Sequence, residues 1–573
     1  MSKRIVIVGA VAAGASAAAK ARRTSEDVEI VLIEAGPYMS FANCGLPYYV
    51  GGEITDRGNL FVVGPEIFAK RFNIDVRLNT TVTAVDRQRR TVALRRADGS
   101  TESLAYDRLV LATGTVPIRP PIKGLDRKNV FTVRTVPDAD AITAFLARSG
   151  QSARAVVIGG GYIGLETAEQ LLRRGLKVAV VEMADQLMPA ALDGEMAEPI
   201  RDALLAAGCD VILGDAVKEI VEKAGVAAAV TVSGRELPFD IGILSVGVRP
   251  NVELAEAAGI ALGATGAIKV DKFQRTSDPA IYAAGDNSET CHLVLRKPVN
   301  IPLAGPANKA GRAAGANAAL DLVNASDEDP RRLHLRGVLG TAIVRVCGCV
   351  AGVTGLTEAQ AKRQRVRCEV AYMPGSSHAG YYPGAERMLL KLLHNRATGK
   401  LMGAQAVGKD GVDKRIDVLA TAIAGSLGVE DLENLDLCYA PPFGSAKDIT
   451  ILGGFAAANQ RRGLMPTITP AELLDALEAA GPQAEKPLVV DVRTAREWNA
   501  GHLEGALHIP VDELRDRMGE IPQGRRIAVH CAGGYRSYVA QRILMNRGRT
   551  DVRNVLGGYS LIQQVMKTRK AKR

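Results

Sequence analysis

The sequence predicts an α/β protein of several domains, founded on two Rossmann-like dinucleotide-binding domains, and three observations predict it. The chain opens with a buried-strand run, a glycine turn and a helical stretch, and nearly the same pattern returns in mid-chain between Ala155 and Glu166. A new alternation of strands and helices begins at Met465, after a change of composition. The length of 573 residues is too much for a single core.

Met1 to Arg23 imitates a secretory signal, with Lys3 and Arg4 before an apolar run and small residues. The mid-chain copy argues against that reading, since no export signal belongs there. In the first copy Gly9 and Gly14 hold the outer positions of GxGxxG, Val11 takes the middle one, and Glu34 ends the next strand run. In the second, Gly159, Gly161 and Gly164 complete the motif and Glu182 closes the run Val178 to Val181. An acid there pairs with a ribose diol and repels a 2'-phosphate, which favours NADH over NADPH. Two such folds imply two dinucleotides in one chain.

Between the copies, Ser40-Phe41-Ala42-Asn43-Cys44-Gly45-Leu46-Pro47-Tyr48-Tyr49 sets a cysteine where a flavin could pass electrons to it. No second cysteine follows for dozens of residues, so its disulfide partner must come from the substrate. A free thiol is only a few per cent thiolate at neutral pH, so something must lower its pKa; a helix beginning near Pro47 would aim N–H groups at the sulfur. The alternative is an inert buried thiol. Cys347 and Cys349 fall in the alternating run Ala342 to Val350, where i, i+2 spacing puts both on one face of a strand and points to packing. Cys209, Cys291, Cys368, Cys438 and the seven histidines show no ligand spacing, so no metal is expected.

The balance of 72 basic and 62 acidic residues gives +10, but the basic residues are scattered and only 4% of the chain is aromatic, so a phosphate-bearing small ligand is expected and no nucleic acid. Eight widely spaced cysteines without a CxxC pair read as reduced thiols in the cytoplasm. No apolar run reaches the roughly 18 to 20 residues of a membrane span, so no membrane is expected.

The order of these pieces, with Leu111-Ala112-Thr113-Gly114 and Thr276 to Asp286, resembles the pyridine nucleotide-disulfide oxidoreductase family over about residues 1 to 455. Within it, Gly9 to Ala12, Ser40 to Tyr49, His378 to Gly384 and Tyr439 to Phe443 are similar to the coenzyme A-disulfide reductases. The resemblance implies FAD near Asn43, Thr113, Gly114, Gly285 and Asp286, with NADH at the second glycine turn. It further implies a Cys44 mixed disulfide with a CoA thiol, CoA held by Ser16, Arg23, Ser40, Asn43 and Lys447, and a homodimer in which Tyr381 and Tyr439 reach the partner's active site. Packing with a satisfied hydroxyl is the alternative for both tyrosines. The expected domains are FAD-binding at 1–118 and 250–328, NADH-binding at 119–249, and an α+β dimerisation domain at 329–455. Three positions depart from the pattern: Ala13 replaces a glycine, Phe72 a basic residue and Asn308 a histidine.

Ala456 to Gly463 reads as a flexible linker, taken as 456–464. From 465 to 573, Val489 to Arg493, Glu497, Gly501 to Ala506, Ile509-Pro510 and Cys531 to Ser537 resemble a rhodanese domain of α/β fold. Ile527 to His530 leads as a strand into Cys531; Ala532-Gly533-Gly534 let N–H groups converge on the sulfur, and Arg536 supplies a cation. Four residues between Cys531 and Arg536 make a small cradle that suits a persulfide better than phosphate. Together these features predict an NADH-dependent reductase of CoA disulfide, CoA persulfide or polysulfide, or related persulfides, with a sulfur-transfer domain. The alternatives are an NADH oxidase or peroxidase using a sulfenic acid, whose relatives carry a histidine where this chain has Ala12, and a non-catalytic flavin redox sensor.

Overall fold

The computed structural model describes residues 3–149, 153–479 and 486–572. The chain forms two compact units, Met1–Met183 with Ala207–Gly340, and Ala184–Ala206 with Thr341–Arg573.

The first unit carries two five-stranded parallel sheets. One orders Ile281–Ala283, Arg108–Leu111, Arg4–Val8, Glu29–Ile33 and Asp75–Arg77. The other orders Asp210–Leu213, Lys177–Glu182, Arg154–Ile158, Ile241–Leu244 and Val130–Phe131. Central strands such as Ile5 to Ile7 are covered on both faces, which is why they read as unbroken apolar runs. Parallel register sets Val8 opposite Ile33 and Ile158 opposite Val181, so each glycine turn emerges beside the acid that ends the neighbouring strand. The helix Ala12–Thr24 lies close against Ala304–Leu322 because a Cβ on Gly311 or Gly315 would collide with the Ala13 or Ala17 carbonyl.

In the second unit an antiparallel sheet orders Ala342–Val346, Cys349–Gly355, Leu401–Gly408, Arg387–Asn395 and Cys368–Ser376. The single strand expected from Ala342 to Val350 is instead a hairpin. Cys347 (φ +50°) and Gly348 (φ +78°) form its two-residue turn, where both central residues need positive φ. The helix Gly194–Ala206 packs on this sheet, so the stretch expected as one NADH-binding segment, 119–249, gives up 184–206 to the second unit. Buried Lys391 explains the attachment: its ammonium donates to Asp193 (2.8 Å), Glu195 (2.6 Å) and Glu358 (2.7 Å).

The flexible linker expected at 456–464 is also corrected. The helix Ile449–Arg461 runs through most of it with Ala457 and Ala458 buried, because an alanine run extends a helix until Gly463 (φ +70°) ends it. Beyond it a parallel sheet orders Thr467–Ile468, Val552–Val555, Ile527–His530, Leu488–Asp491 and Leu507–His508. Its C-terminal helix Gly558–Lys572 meets Gly194–Ala206, with Lys567 Nζ 3.6 Å from the Asp202 carboxylate. Among the described residues no helix is long and apolar enough to cross a membrane.

Candidate active site

At the first glycine turn Gly9 has φ +96°, and a side chain there would strike the Ala112 carbonyl. A Cβ on Gly14 would strike the Gly9 carbonyl, so the helix starts hard against its strand. No side chain caps that helix at Val11, which leaves its first N–H groups for a pyrophosphate. Glu34 is pinned beside the turn, accepting from the Ala10 N–H (2.8 Å) and the Gly36 N–H (2.9 Å). Gly285 (φ +97°) comes equally close, since its Cβ would lie 2.8 Å from Ala13 Cβ. Asp286 follows it, its carboxyl pushed up by burial against a smaller opposing pull from Arg134. Thr113 donates to the Asn251 carbonyl at 2.6 Å, and Gly114 takes φ +66°. This cradle fits a flavin dinucleotide.

The second turn repeats the plan. Gly159 has φ +109°, Gly164 abuts the Gly159 carbonyl, and Glu182 accepts from the Gly160 N–H at 2.7 Å. The helix Tyr162–Arg173 has no side-chain cap at Gly161, and a Cβ on Gly161 would point into open space. That opening at an uncapped helix end fits the phosphates of a nicotinamide dinucleotide.

Cys44 sits exposed in the 3-10 turn Asn43–Gly45, which runs straight into the helix Leu46–Gly51 with Pro47 in its first turn. Buried Leu46 and Val50 anchor that helix, and Gly51 lets it press on Gln170 of the second glycine-turn helix. Asn43 donates to the Arg134 carbonyl at 3.2 Å. Burial raises the thiol, and the negative charges of Glu166 and Asp286 raise it further, with Arg134 opposing. The expected lowering is therefore not what these surroundings do: burial and two carboxylates outweigh one guanidinium. Glu166 was missed in the sequence reading. Burial pushes it up to about 6, and Tyr48 Oη donates to it at 3.1 Å.

Of the residues expected to hold CoA, Ser16 donates to Asn308 Oδ1 at 2.7 Å, and exposed Arg23 lies in a cationic cluster with Lys20 and Arg312. Burial and those two arginines pull Lys20 down. Lys20 was legible, since 16, 20 and 23 share one helical face; Arg312 lies on a helix far along the chain. Ser40 adopts φ +45° and donates its N–H to the Ala10 carbonyl at 2.8 Å. Phe72, the departure from a basic residue, packs against Phe68 with ring centroids 5.5 Å apart and the rings tilted by 52°.

In the second unit Tyr381 and Tyr439 share a hydrogen bond of 3.0 Å between their hydroxyls and are exposed, as is Lys447. Cys531 lies buried at the end of its strand, accepting from the Gly534 N–H at 3.0 Å, with Ser537 Oγ 3.5 Å away. Gly534 (φ +119°) bends the loop so that this N–H faces the sulfur. Arg536 hydrogen-bonds Cys531 and feels its charge, and gives both terminal nitrogens to Glu497, at 2.7 Å each. Gly533 seats the loop on Pro374, whose Cγ would lie 2.7 Å from an added Cβ. Among the described residues one carboxylate triad, Asp193, Glu195 and Glu358, has the compactness of a cation site, and Lys391 sits in it.

Known proteins match all three parts of the chain. Residues 3–311 match the pyridine nucleotide-disulphide oxidoreductase model, 341–449 its dimerisation domain and 469–564 the rhodanese-like domain. The chain is 36% identical over 448 residues to an NAD(P)H sulfur oxidoreductase (CoA-dependent) of Pyrococcus abyssi, covering 78% of this chain and 96% of that protein. It is 32% identical over 457 residues to the coenzyme A disulfide reductase of Staphylococcus haemolyticus, covering 79% and 99%. Reduced Bacillus anthracis CoADR-RHD superposes with a TM-score of 0.93 at 42% identity over 99% of both chains. An NAD-dependent persulfide reductase from A. fulgidus gives 0.88 at 39%, over 97% of this chain and 99% of that one. The chain belongs to the pyridine nucleotide-disulphide oxidoreductase family and carries a rhodanese-like domain at its C-terminal end.

Proposed function

We propose that this protein is a flavin-dependent reductase that uses NADH to cleave CoA persulfide or polysulfide, related low-molecular-weight persulfides, and CoA disulfide, through Cys44 as its single redox cysteine. One observation carries the reading: Cys44 stands exposed in the unit that holds both glycine cradles, with no second cysteine of its own segment to pair with.

The thiolate of Cys44 attacks the CoA-bearing sulfur of a persulfide; a Cys44–CoA disulfide forms, the S–S bond of the donor breaks, and hydrosulfide leaves with the electron pair. With CoA disulfide the leaving group is a CoA thiolate. FAD, held at the Gly9, Gly14, Glu34 and Asp286 turn, supplies when bound the two electrons from NADH that return Cys44 to its thiolate and free CoA. Asn43, Thr113, Gly114 and Gly285 complete that cradle, and Gly159, Gly161, Gly164 and Glu182 hold NADH. Glu166 stands where it can take and return the thiol proton, since a carboxyl raised to about 6 changes charge near neutrality.

Ser16, Arg23, Ser40, Asn43 and Lys447 bind CoA, with Lys20 and Arg312 adding charge for its phosphates. In a homodimer, the hydroxyl pair of Tyr381 and Tyr439 reaches the partner's Cys44 to protonate the departing sulfur. Cys531 collects sulfane sulfur as a persulfide, which the Gly534 N–H stabilises. The free cysteines support a reducing cytoplasmic setting. NADH oxidation with CoA disulfide and with CoA persulfide tests the proposal: both should vanish in Cys44→Ser. Equal NADH oxidation with oxygen alone would instead favour the oxidase reading, which fits the 37% identity to a protein named NADH oxidase in Methanocaldococcus jannaschii.

A further inference from the structure

We propose that the Cys531 loop takes sulfur from organic persulfides and polysulfides and discriminates against thiosulfate, because Glu497 neutralises the guanidinium that an inorganic dianion would need. The inference rests on the reading that Cys531 carries sulfane sulfur, and it names the donor.

The loop residues between Cys531 and Arg536 are Ala532, Gly533, Gly534 and Tyr535, none of them charged. The arginines around them are paired with carboxylates, although Arg536 also keeps a hydrogen bond to Cys531. Arg536 is bidentate to both Glu497 oxygens at 2.7 Å. Arg493 is buried and bidentate to Asp491, at 2.6 to 3.0 Å. His530 is buried, and burial holds its imidazole toward the neutral form. Glu497 cannot turn aside cheaply, because its Oε2 also accepts from the Thr494 N–H (3.0 Å) and hydroxyl (2.9 Å) in the capping box of the helix Ala495–Asn499. The local charge at the mouth is thus balanced, while the Tyr535 side chain is 78% exposed beside it and offers an aromatic face to an organic carrier.

The two donors differ in what must leave. With an organic persulfide RS–SH, the Cys531 thiolate attacks the terminal sulfur, the Cys–S bond forms, the RS–S bond breaks, and RS⁻ departs with the electron pair; Cys531 becomes a persulfide with no net oxidation. With thiosulfate the leaving group is sulfite, which carries two negative charges past Glu497 with only a guanidinium already paired to that carboxylate to receive them.

The test uses the full-length flavoprotein with Cys44→Ser, so that Cys531 alone reports. Sulfur transfer to cyanide is measured with glutathione persulfide and with thiosulfate, before and after adding Glu497→Gln. We expect the persulfide to be preferred by roughly tenfold or more in kcat/KM, and E497Q to shrink that preference by about tenfold through faster thiosulfate use. Iodoacetate and iodoacetamide labelling of the Cys531 peptide gives a readout independent of sulfur transfer; the iodoacetate share should rise in E497Q. Equal use of both donors, or a preference and labelling ratio that E497Q leaves unchanged, overturns the inference. Failure of both donors to load Cys531, in protein whose thiol still labels, overturns instead the reading of Cys531 as a sulfur acceptor.

Discussion

Burial of the sulfur raises the Cys44 thiol most, and Glu166 and Asp286 add two carboxyl groups against it. Removing a negative charge makes the thiolate cheaper, so Glu166→Gln should shift the pH midpoint of Cys44 alkylation downward by about 0.5 to 1 unit. An unchanged midpoint would mean that Glu166 does not act on the thiol. If Glu182 pairs with the ribose diol as proposed, NADH should exceed NADPH by about tenfold or more in kcat/KM, with Glu182→Ala narrowing the gap. The reactive sulfurs were legible at this scale because each stands in a short local motif. The sign of the Cys44 shift was not, since Glu166 is 122 residues away in sequence and meets the thiol only after the helix Leu46–Gly51 docks on Tyr162–Arg173. Glu497 was legible as a motif position, but its grip on Arg536 depends on the helices Ala495–Asn499 and Tyr535–Asn546 meeting.

Among the elements, the glycine turns and parallel strands could be read directly because strand, turn and helix are contiguous. The helix Ile449–Arg461 was misread as a linker, since small and polar residues that resemble a loop also form a helix when one side is covered. A helix with buried Ala457 and Ala458 should resist proteolysis between 456 and 461 in the native protein; ready cleavage there would restore the linker reading. Lys391 and its carboxylates lie on three separate segments, a constellation that no local pattern reveals. Lys391→Met should destabilise the second unit by about 3 to 5 kcal/mol at pH 7, because the carboxylates would be left without their cation. Asp193 is held below the usual carboxylate range by Lys391, so its contribution is complete above the unfolded value and fades as pH falls through the folded one. Lys391 is held above the usual lysine range, so its contribution is complete below that value and fades only as pH rises through the folded one. The deficit of the methionine variant in thermal melting should therefore hold from pH 7 to pH 5 and shrink only as pH falls below the usual carboxylate range, about 4; a deficit that grows there would contradict this account.

At the scale of the whole molecule, two sulfur centres lie in two different units, and their loss should be unequal. Cys44→Ser should leave flavin reduction by NADH intact but abolish turnover with CoA disulfide and persulfides, whereas Cys531→Ser should abolish sulfur transfer and spare CoA-disulfide reduction. Equal loss of disulfide reduction in both variants would make the two domains one obligatory relay. The several-domain plan was legible from the repeated glycine pattern and the renewed alternation after residue 465, but the withdrawal of 184–206 into the second unit was not, because buried side chains of distant segments decide it. The most direct test of the central claim is peptide mass spectrometry of reduced protein mixed with one equivalent of CoA disulfide, without NADH, and quenched in acid. The account predicts a CoA adduct on the Cys44 peptide that dithiothreitol removes; an unmodified Cys44, with CoA on another cysteine, would contradict it.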